Sequence, residues 1–190
     1  TKRLKNHYRE NVPLHMSSWG RFSGVKDFDD MGDQKWRDRA YGRFLSTNHF
    51  TGEGYWIWFI PLSNGFTSIG LVADKTKVDN PPMTKEAFFD FLRSHRSIAD
   101  LLEHAQMEDF EAWGQLAYRG KQYVSEQRWA ASGISAFFLD PLLSGGGDMI
   151  ALMNHNLTQL ITADLAEMDQ DKANTALAMK VPTANKVVLN

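Results

Sequence analysis

The stretch of sequence that decides the fold is Gly54-Tyr-Trp-Ile-Trp-Phe-Ile-Pro-Leu-Ser-Asn-Gly-Phe-Thr-Ser-Ile-Gly-Leu-Val-Ala73. Two runs of apolar, aromatic and β-branched residues flank Asn64-Gly65, a pair typical of a β-hairpin because both residues tolerate a positive φ. The first run presents two apolar faces, which are Trp56, Trp58 and Ile60 on one side and Tyr55, Ile57 and Phe59 on the other. We therefore expect a central strand that is covered on both sides and ends at Pro61, which has no N–H to donate to a ladder.

The composition bounds the class of protein. The 190 residues carry a formal net charge of -2, 43% of them are hydrophobic, and none is cysteine. This length and apolar content predict one soluble domain, and the small charge argues against nucleic acid as a partner because phosphate binding draws on clustered Lys and Arg. Without cysteine there are no disulfides or thiolate metal sites. No run reaches the ~18 apolar residues of a membrane span and no signal peptide is evident, so we expect no membrane partner and a cytoplasmic location.

The remaining segments predict an α+β fold with a mainly antiparallel sheet, a Trp-rich central hairpin and a helical pair, followed by a long C-terminal helix after a Gly-rich ligand loop. Besides the hairpin, strands are predicted over 14–25, 39–48 and short pieces of 107–131. Thr84 caps a predicted helix that ends near His95, a second helix ends near 104, and Asp148 caps the longest helix, which ends near 166.

We predict a single domain over 1–168. The remaining residues, 169–190, are predicted to be a loosely held tail because they are polar, weakly periodic and contain Pro182.

The loop before the longest helix is a candidate ligand site. It runs from Leu139 to Gly147 and contains three successive glycines, Gly145 to Gly147. Glycines let a backbone approach a ligand closely, and the unpaired N–H groups and dipole at a helix start favour an anion. The loop can therefore hold a halide, a phosphate or the electron-rich edge of a flavin, although the same spacing is also typical of a simple turn.

Two motifs match known signatures. Trp56-x-Trp58-x-Ile60-Pro61 has the form W-x-W-x-I-P, and the neighbouring segments 44–50 and 52–56 support the match. Gly133-Ile-Ser-Ala-Phe-Phe-Leu-Asp-Pro141 is similar, at the same length, to a G-D-A-x-G-F-x-D-P segment. Both signatures are found in flavin-dependent halogenases, the second also in related monooxygenases. The chain thus resembles the middle of a flavin-dependent halogenase, from about Leu4 to Leu165. By this resemblance the domain over 1–168 would be the substrate and flavin side of the protein.

This resemblance implies an oxidoreductase that uses FAD and a halide ion. In that family a reduced flavin and oxygen oxidise the halide, and a lysine delivers the halogen to an aromatic or other electron-rich small molecule. The resemblance implies that Asp140 and Pro141 lie beside the flavin ring, that Gly133 also belongs to the cofactor-binding residues, and that the amides of Gly145 and Gly146 face the halide. A flavin reductase is an implied partner. The dinucleotide fingerprint and the lysine would belong to a missing N-terminal FAD domain.

The resemblance also implies a substrate channel. Trp56, Trp58 and Pro61 would lie beside that channel, and His49, next to the hairpin, is a further candidate for its lining. On residue chemistry alone, large aromatic rings such as Trp56 and Trp58 are more often core residues, and a lone histidine such as His49 is more often structural.

Departures from the family pattern leave a second interpretation open. Ile134 replaces an acidic residue that bonds the flavin, and Phe137 replaces a glycine past which the cofactor runs. Losing a charge-assisted hydrogen bond costs about 1.5–3 kcal/mol. The alternative function is a non-catalytic remnant or accessory module that no longer binds flavin, so whether the chain is an enzyme stays open. Leu143 replaces the glutamate of tryptophan-specific members and favours substrates such as phenols or pyrroles.

Overall fold

The computed structural model describes residues 9–39, 42–167 and 169–189. Its strands are β1 (Arg9–Glu10), β2 (His15–Ser23), β3 (Asn48–Gly52), β4 (Tyr55–Pro61), β5 (Thr67–Asp74), β6 (Gln106–Met107), β7 (Glu111–Trp113), β8 (Tyr118–Gly120) and β9 (Phe137–Phe138). Its α-helices are α1 (Gln34–Arg39), α2 (Lys85–Arg93), α3 (Arg96–Leu101), α4 (Gly146–Ala166) and α5 (Gln170–Leu189). They form two units, the hairpin unit (Leu14–Leu116) and the helical unit (Thr1–Pro13 with Ala117–Asn190).

The sheet of the hairpin unit has the order β3-β4-β5-β2, and β6 and β7 pair with the other side of β2. All of these pairs are antiparallel. β4 and β5 pair from Tyr55 opposite Ala73 to Pro61 opposite Thr67, which confirms the predicted hairpin. β4 lies between β3 and β5, so it is the central strand that its two apolar faces predict.

The hairpin turn differs in detail from the expected Asn-Gly turn. It spans Leu62 to Phe66, where the Leu62 N–H donates to the Phe66 carbonyl at 2.8 Å. Gly65 has a φ of 80°, whereas Asn64 is not among the residues of positive φ. The Asn64 side-chain oxygen instead accepts from the Phe66 N–H at 3.4 Å. Only the glycine supplies the left-handed conformation, because the asparagine side chain acts as a local backbone acceptor.

One face of this sheet packs against the helical pair α2 and α3. Thr84 caps α2 as predicted, because its hydroxyl oxygen accepts from the Ala87 N–H at 3.2 Å. The buried side chains of sheet and helices form one apolar cluster, which includes Ile57, Phe59, Ile69, Leu71, Phe88, Leu92, Ile98 and Leu101. Full burial of a side chain of this size contributes about 1.5–3 kcal/mol, so this cluster holds the hairpin in place.

The strand predicted over 39–48 is wrong. α1 ends at Arg39, a 3₁₀ turn occupies Arg43–Leu45, and β3 begins at Asn48. The Asp29 carboxylate holds this turn by accepting from the N–H groups of Gly42 at 3.0 Å and Arg43 at 2.9 Å. Gly42 has a φ of 80°, which is incompatible with a strand and which glycine adopts without strain.

The helical unit combines a small antiparallel sheet, in the order β1-β8-β9, with α4 and α5. α4 ends at Ala166 as predicted, but it begins at Gly146 with Gly145 as its N-cap, so Asp148 lies in the first turn and is not the cap. Gly145 has φ -65° and ψ -8°, and this near-helical backbone lets the helix start earlier. The buried residues of α4 are Met153, Leu157 and Leu160.

Residues 170–189 form α5, where their polarity predicts a loosely held tail. Ala173, Leu177 and Val181 recur every four residues and are buried, so α5 packs through a narrow apolar stripe. Near the end of α5, the Asn185 side-chain oxygen accepts from the N–H groups of Tyr123 at 2.8 Å and Val124 at 3.2 Å. Its side-chain N–H donates to the Val124 carbonyl at 2.9 Å, which ties this helix to the 123–124 segment.

The fold class is α+β with a mainly antiparallel sheet, as predicted. The single domain over 1–168 stays a prediction. Within the described ranges, no helix combines the length and the apolar character that crossing a lipid bilayer requires.

Candidate functional site

The face of the hairpin-unit sheet opposite α2 and α3 carries five aromatic side chains that we call the tryptophan face: Trp19, Trp56, Trp58, Trp113 and His49. Strand register brings them together, because directly paired residues of neighbouring strands share a face. One row across the sheet is His49, Trp58, Gly70 and Trp19, and the next is Trp56, Val72, Ser17 and Trp113.

The rings of the tryptophan face contact one another. The Trp56 and Trp58 centroids are 5.5 Å apart at an interplanar angle of 46°, and the His49 ring lies edge-on to Trp56 at 5.4 Å. Trp19 and Trp113 form a second edge-on pair at 5.4 Å. Aromatic pairs at such separations contribute about 0.5–1.5 kcal/mol beyond their burial. Trp56 is 8% exposed and Trp113 is 52% exposed, so the face is a preformed aromatic wall with accessible rings.

Pro61 does not lie on the tryptophan face. It is an odd number of residues from both Trp56 and Trp58, and side chains of a strand alternate between faces. It lines a separate groove of about 420 Å³ together with Phe44, Leu45 and Leu62. Of the four residues predicted for the substrate channel, the structure brings together His49, Trp56 and Trp58, and it places Pro61 elsewhere.

Sequence reasoning missed Trp19 and Trp113. Trp19 carried a usable signal, since it is out of phase with the core residue Met16 and therefore faces the other side of β2. Trp113 carried none, because it lies in a three-residue strand whose place opposite Ser17 is set by pairing with β2.

The helical unit holds a pocket of about 170 Å³ at the loop before α4, which we call the glycine-loop pocket. Two left-handed residues shape its backbone, Gly133 with a φ of 59° and Ser144 with a φ of 55°. The Asp140 carboxylate accepts from the Leu142 N–H at 3.0 Å and starts the 3₁₀ turn Pro141–Leu143. The lining residues are Gly133, Ile134, Phe137, Phe138, Leu139, Asp140, Pro141, Ser144, Gly146 and Ile150.

Four of the five residues predicted to contact the cofactor therefore line one pocket, and the fifth, Gly145, is the adjoining N-cap of α4. A Cβ placed on Gly145, Gly146 or Gly147 would meet no atom within 4 Å, so the start of α4 is open to a ligand. The first N–H groups of a helix have no partner within the helix. The exposed Asp148 carboxylate in the same turn adds negative charge there, which disfavours a highly charged anion.

The chemistry of the glycine-loop pocket fits one part of a flavin. Its lining is chiefly apolar and contains no Lys or Arg. It suits the edge of a planar ring system better than phosphate groups, which are commonly bound by cationic side chains. Phe137 is 5% exposed and packs in the apolar cluster of the helical unit, so it narrows the pocket from the inside without filling it. Ile134 is 64% exposed and offers no polar group to a ligand.

Asp109 and Tyr123 are two ionisable residues outside the candidate sites whose pKa values are shifted by contacts within the fold. The Arg21 guanidinium and backbone N–H bond the Asp109 carboxylate and hold its pKa below the ordinary value. Burial raises the pKa of the Tyr123 phenol above its ordinary value. Throughout the described ranges, no group of three or more His, Asp or Glu is arranged to hold a metal ion.

Comparison with known proteins identifies relatives of this chain. No family model matches it. It is 31% identical over 159 residues to the flavin-dependent halogenase chlA of Dictyostelium discoideum, an alignment that covers 82% of this chain and 26% of the relative. The chain is homologous to part of the flavin-dependent halogenases. The sulochrin halogenase gedL of Aspergillus terreus is 28% identical over 153 residues, which are 77% of this chain and 26% of that halogenase. The chain spans about a quarter of the length of both halogenases.

Solved structures of halogenases share the fold. Halogenase PltM superposes with a TM-score of 0.73 at 20% identity, covering 97% of this chain and 39% of PltM. The flavin-dependent halogenase CmlS superposes with a TM-score of 0.64 at 22% identity, covering 97% of this chain and 32% of CmlS. At these identities the likeness concerns the fold alone.

Proposed function

We propose that this chain is the substrate- and flavin-facing part of a flavin-dependent halogenase or monooxygenase-like oxidoreductase that acts on an aromatic small molecule. The observation that carries the proposal is the tryptophan face. Its electron-rich indoles offer planar surfaces on which an aromatic ring stacks or sits edge-on. The curated relatives include a sulochrin halogenase and a 1H-pyrrole-2-carbonyl-[peptidyl-carrier protein] chlorinase. A solved halogenase structure with a similar fold contains phloroglucinol and FAD. These names support an aromatic ring as the substrate class.

The glycine-loop pocket is the proposed contact for FAD and the halide. Gly133, Asp140 and Pro141 would border the edge of the flavin ring, and the N–H groups of Gly145 and Gly146 would face the halide. A bound reduced flavin would supply, with oxygen, the oxidising power that makes a halide electrophilic. The residues of this chain would contribute apolar contact and unpaired amides, which suit a single-charged halide better than a phosphate.

We also propose the partners of the reaction. A flavin reductase would supply the reduced cofactor. An FAD-binding domain would carry the dinucleotide fingerprint, because the glycine-loop pocket offers no cationic side chain to a pyrophosphate. By the family resemblance the same domain would carry the catalytic lysine.

Flavin binding and halogenation test this function separately. The chain is titrated with FAD, alone and with the FAD domain of a relative, and flavin fluorescence is followed. The mixture with a reductase, NADH, bromide and phloroglucinol is then analysed for brominated product by mass spectrometry. We expect micromolar flavin binding and product formation that Trp58→Phe weakens and the matched Trp36→Phe leaves unchanged. Absence of flavin binding and of product in every mixture would refute the proposal.

A second candidate is a non-catalytic accessory module with the same fold. Its support is the exposed Ile134, which offers a cofactor no polar group where the halogenases have an acidic residue, and the buried Phe137, which narrows the glycine-loop pocket. Restoring Ile134→Asp together with Phe137→Gly separates the candidates. If wild-type protein binds no flavin and the double variant does, the module has lost a cofactor that its relatives use.

A further inference from the structure

Trp58 lies at the middle of the tryptophan face and directly opposite Gly70 of β5. A Cβ placed on Gly70 would lie 2.1 Å from Cζ2 and 2.2 Å from Cη2 of Trp58. Real Cβ atoms do not come this close to other atoms, so the six-membered ring of the indole rests directly on the β5 backbone. Glycine within a strand often marks such a close approach.

The five-membered ring of the same indole is held by a hydrogen bond. The Nε1–H of Trp58 donates to the Oγ of Ser68 at 3.2 Å. Ser68 is two residues before Gly70 in β5, so both present to the same face. The outer edge of the indole is thus held at two points, by contact of the six-membered ring with the Gly70 backbone and by the hydrogen bond of Nε1–H to Ser68.

These two contacts fix the orientation of the Trp58 ring on the tryptophan face. Trp58 is half-buried, and its ring is 5.5 Å from that of Trp56. Rotation about its side-chain bonds would break the bond to Ser68 and move the ring away from Gly70. The angle between the two indoles, 46°, is therefore set by residues of the neighbouring strand.

We propose that Ser68 and Gly70 are positioning residues: they hold the Trp58 indole in the orientation in which it binds an aromatic substrate. This inference rests on the proposed function, to which it adds the residues that shape the substrate wall. Ser68 and Gly70 act through Trp58 and need not touch the substrate themselves.

The test combines indole spectra with ligand binding in the full chain. Ser68→Ala removes the hydrogen-bond acceptor, and Ser68→Thr keeps a hydroxyl. Gly70→Ala places a Cβ against the Trp58 ring, and its matched control is Gly114→Ala, where a Cβ meets only the Met83 methyl at 3.8 Å. Indole N–H signals are recorded by ¹H–¹⁵N NMR, and the Trp58 signal is assigned with Trp58→Phe. Phloroglucinol affinity is measured by calorimetry.

We expect the Trp58 indole signal to shift and its hydrogen to exchange faster in Ser68→Ala, with recovery in Ser68→Thr. Phloroglucinol should bind Ser68→Ala about three- to ten-fold more weakly, as for loss of one hydrogen bond. Gly70→Ala should displace the same signal in the fraction that folds. An unchanged Trp58 signal in Ser68→Ala would overturn the positioning role, and a shifted signal with unchanged affinity would overturn its link to the substrate. If wild-type chain does not bind phloroglucinol, the proposed function fails for that ligand, while the indole spectra still decide the positioning role.

Discussion

Replacing Asn185 with alanine tests the attachment of α5, the helix formed by residues expected to be loosely held. The side chain makes three hydrogen bonds to the backbone of Tyr123 and Val124, at 2.8, 3.2 and 2.9 Å. Each contributes about 0.5–1.5 kcal/mol. Because Asn185 is half-buried, water replaces part of what is lost, and we expect a net destabilisation of about 2 kcal/mol.

Amide hydrogen exchange measures this destabilisation directly at Tyr123 and Val124, whose N–H groups donate to Asn185. A loss of about 2 kcal/mol corresponds to about 30-fold faster exchange of the Tyr123 and Val124 amides, if they exchange by local opening. Asn185→Asp keeps the acceptor and loses the donor, so it should fall between wild type and Asn185→Ala. The exposed neighbour Lys186→Ala is the control and should exchange like wild type. Wild-type exchange at Tyr123 and Val124 in Asn185→Ala would show that these bonds do not hold the helix.

Three further predictions concern stability. Arg21 lowers the pKa of Asp109 in the folded state, so the ionised carboxylate stabilises the fold above the pKa of the unfolded state, and this stabilisation is lost as pH falls through the folded-state pKa. Denaturant titrations at decreasing pH should therefore show a smaller loss of stability for Asp109→Asn than for wild type. The pKa of Tyr123 is raised by burial, so wild type should lose stability as pH rises above the ordinary tyrosine value of 10.0, whereas Tyr123→Phe should lack this alkaline loss. Thr84→Ala should cost about 1 kcal/mol in urea unfolding, because the Ala87 N–H loses its capping partner.

Local signals in the sequence predicted the hairpin and the α2 helix. Alternation of large apolar residues fixes which residues of β4 share a face, and a threonine before an amphipathic run has few other roles than a cap. The strand predicted over 39–48 failed because its conformation is imposed from outside the segment. Asp29, which lies 13 residues before Gly42, holds Gly42 and Arg43 in a turn that alternation within 39–48 does not reveal.

The candidate sites were predictable to different degrees. The glycine-loop pocket is built mainly from the segment 133–146, so motif similarity pointed to four of its ten lining residues: Gly133, Asp140, Pro141 and Gly146. The tryptophan face is assembled from several strands, and its register comes from pairing over long sequence distances. The sequence alone therefore did not predict that Trp113 lies on this face or that Ser68 and Gly70 support Trp58. α5 was missed because three small or medium apolar residues among polar ones give a weak periodic signal.

Because most of the indoles lie on one sheet face, the intrinsic tryptophan fluorescence of the chain can report ligand binding at that face. Four of the six tryptophans lie there, and Trp36 and Trp129 are outside it. Ultraviolet-excited emission of the unlabelled chain therefore reports mainly on a single surface. A ring that stacks against Trp58 or Trp113 should dim most of that emission at once, so a compound collection can be screened against this surface before any reaction product is known.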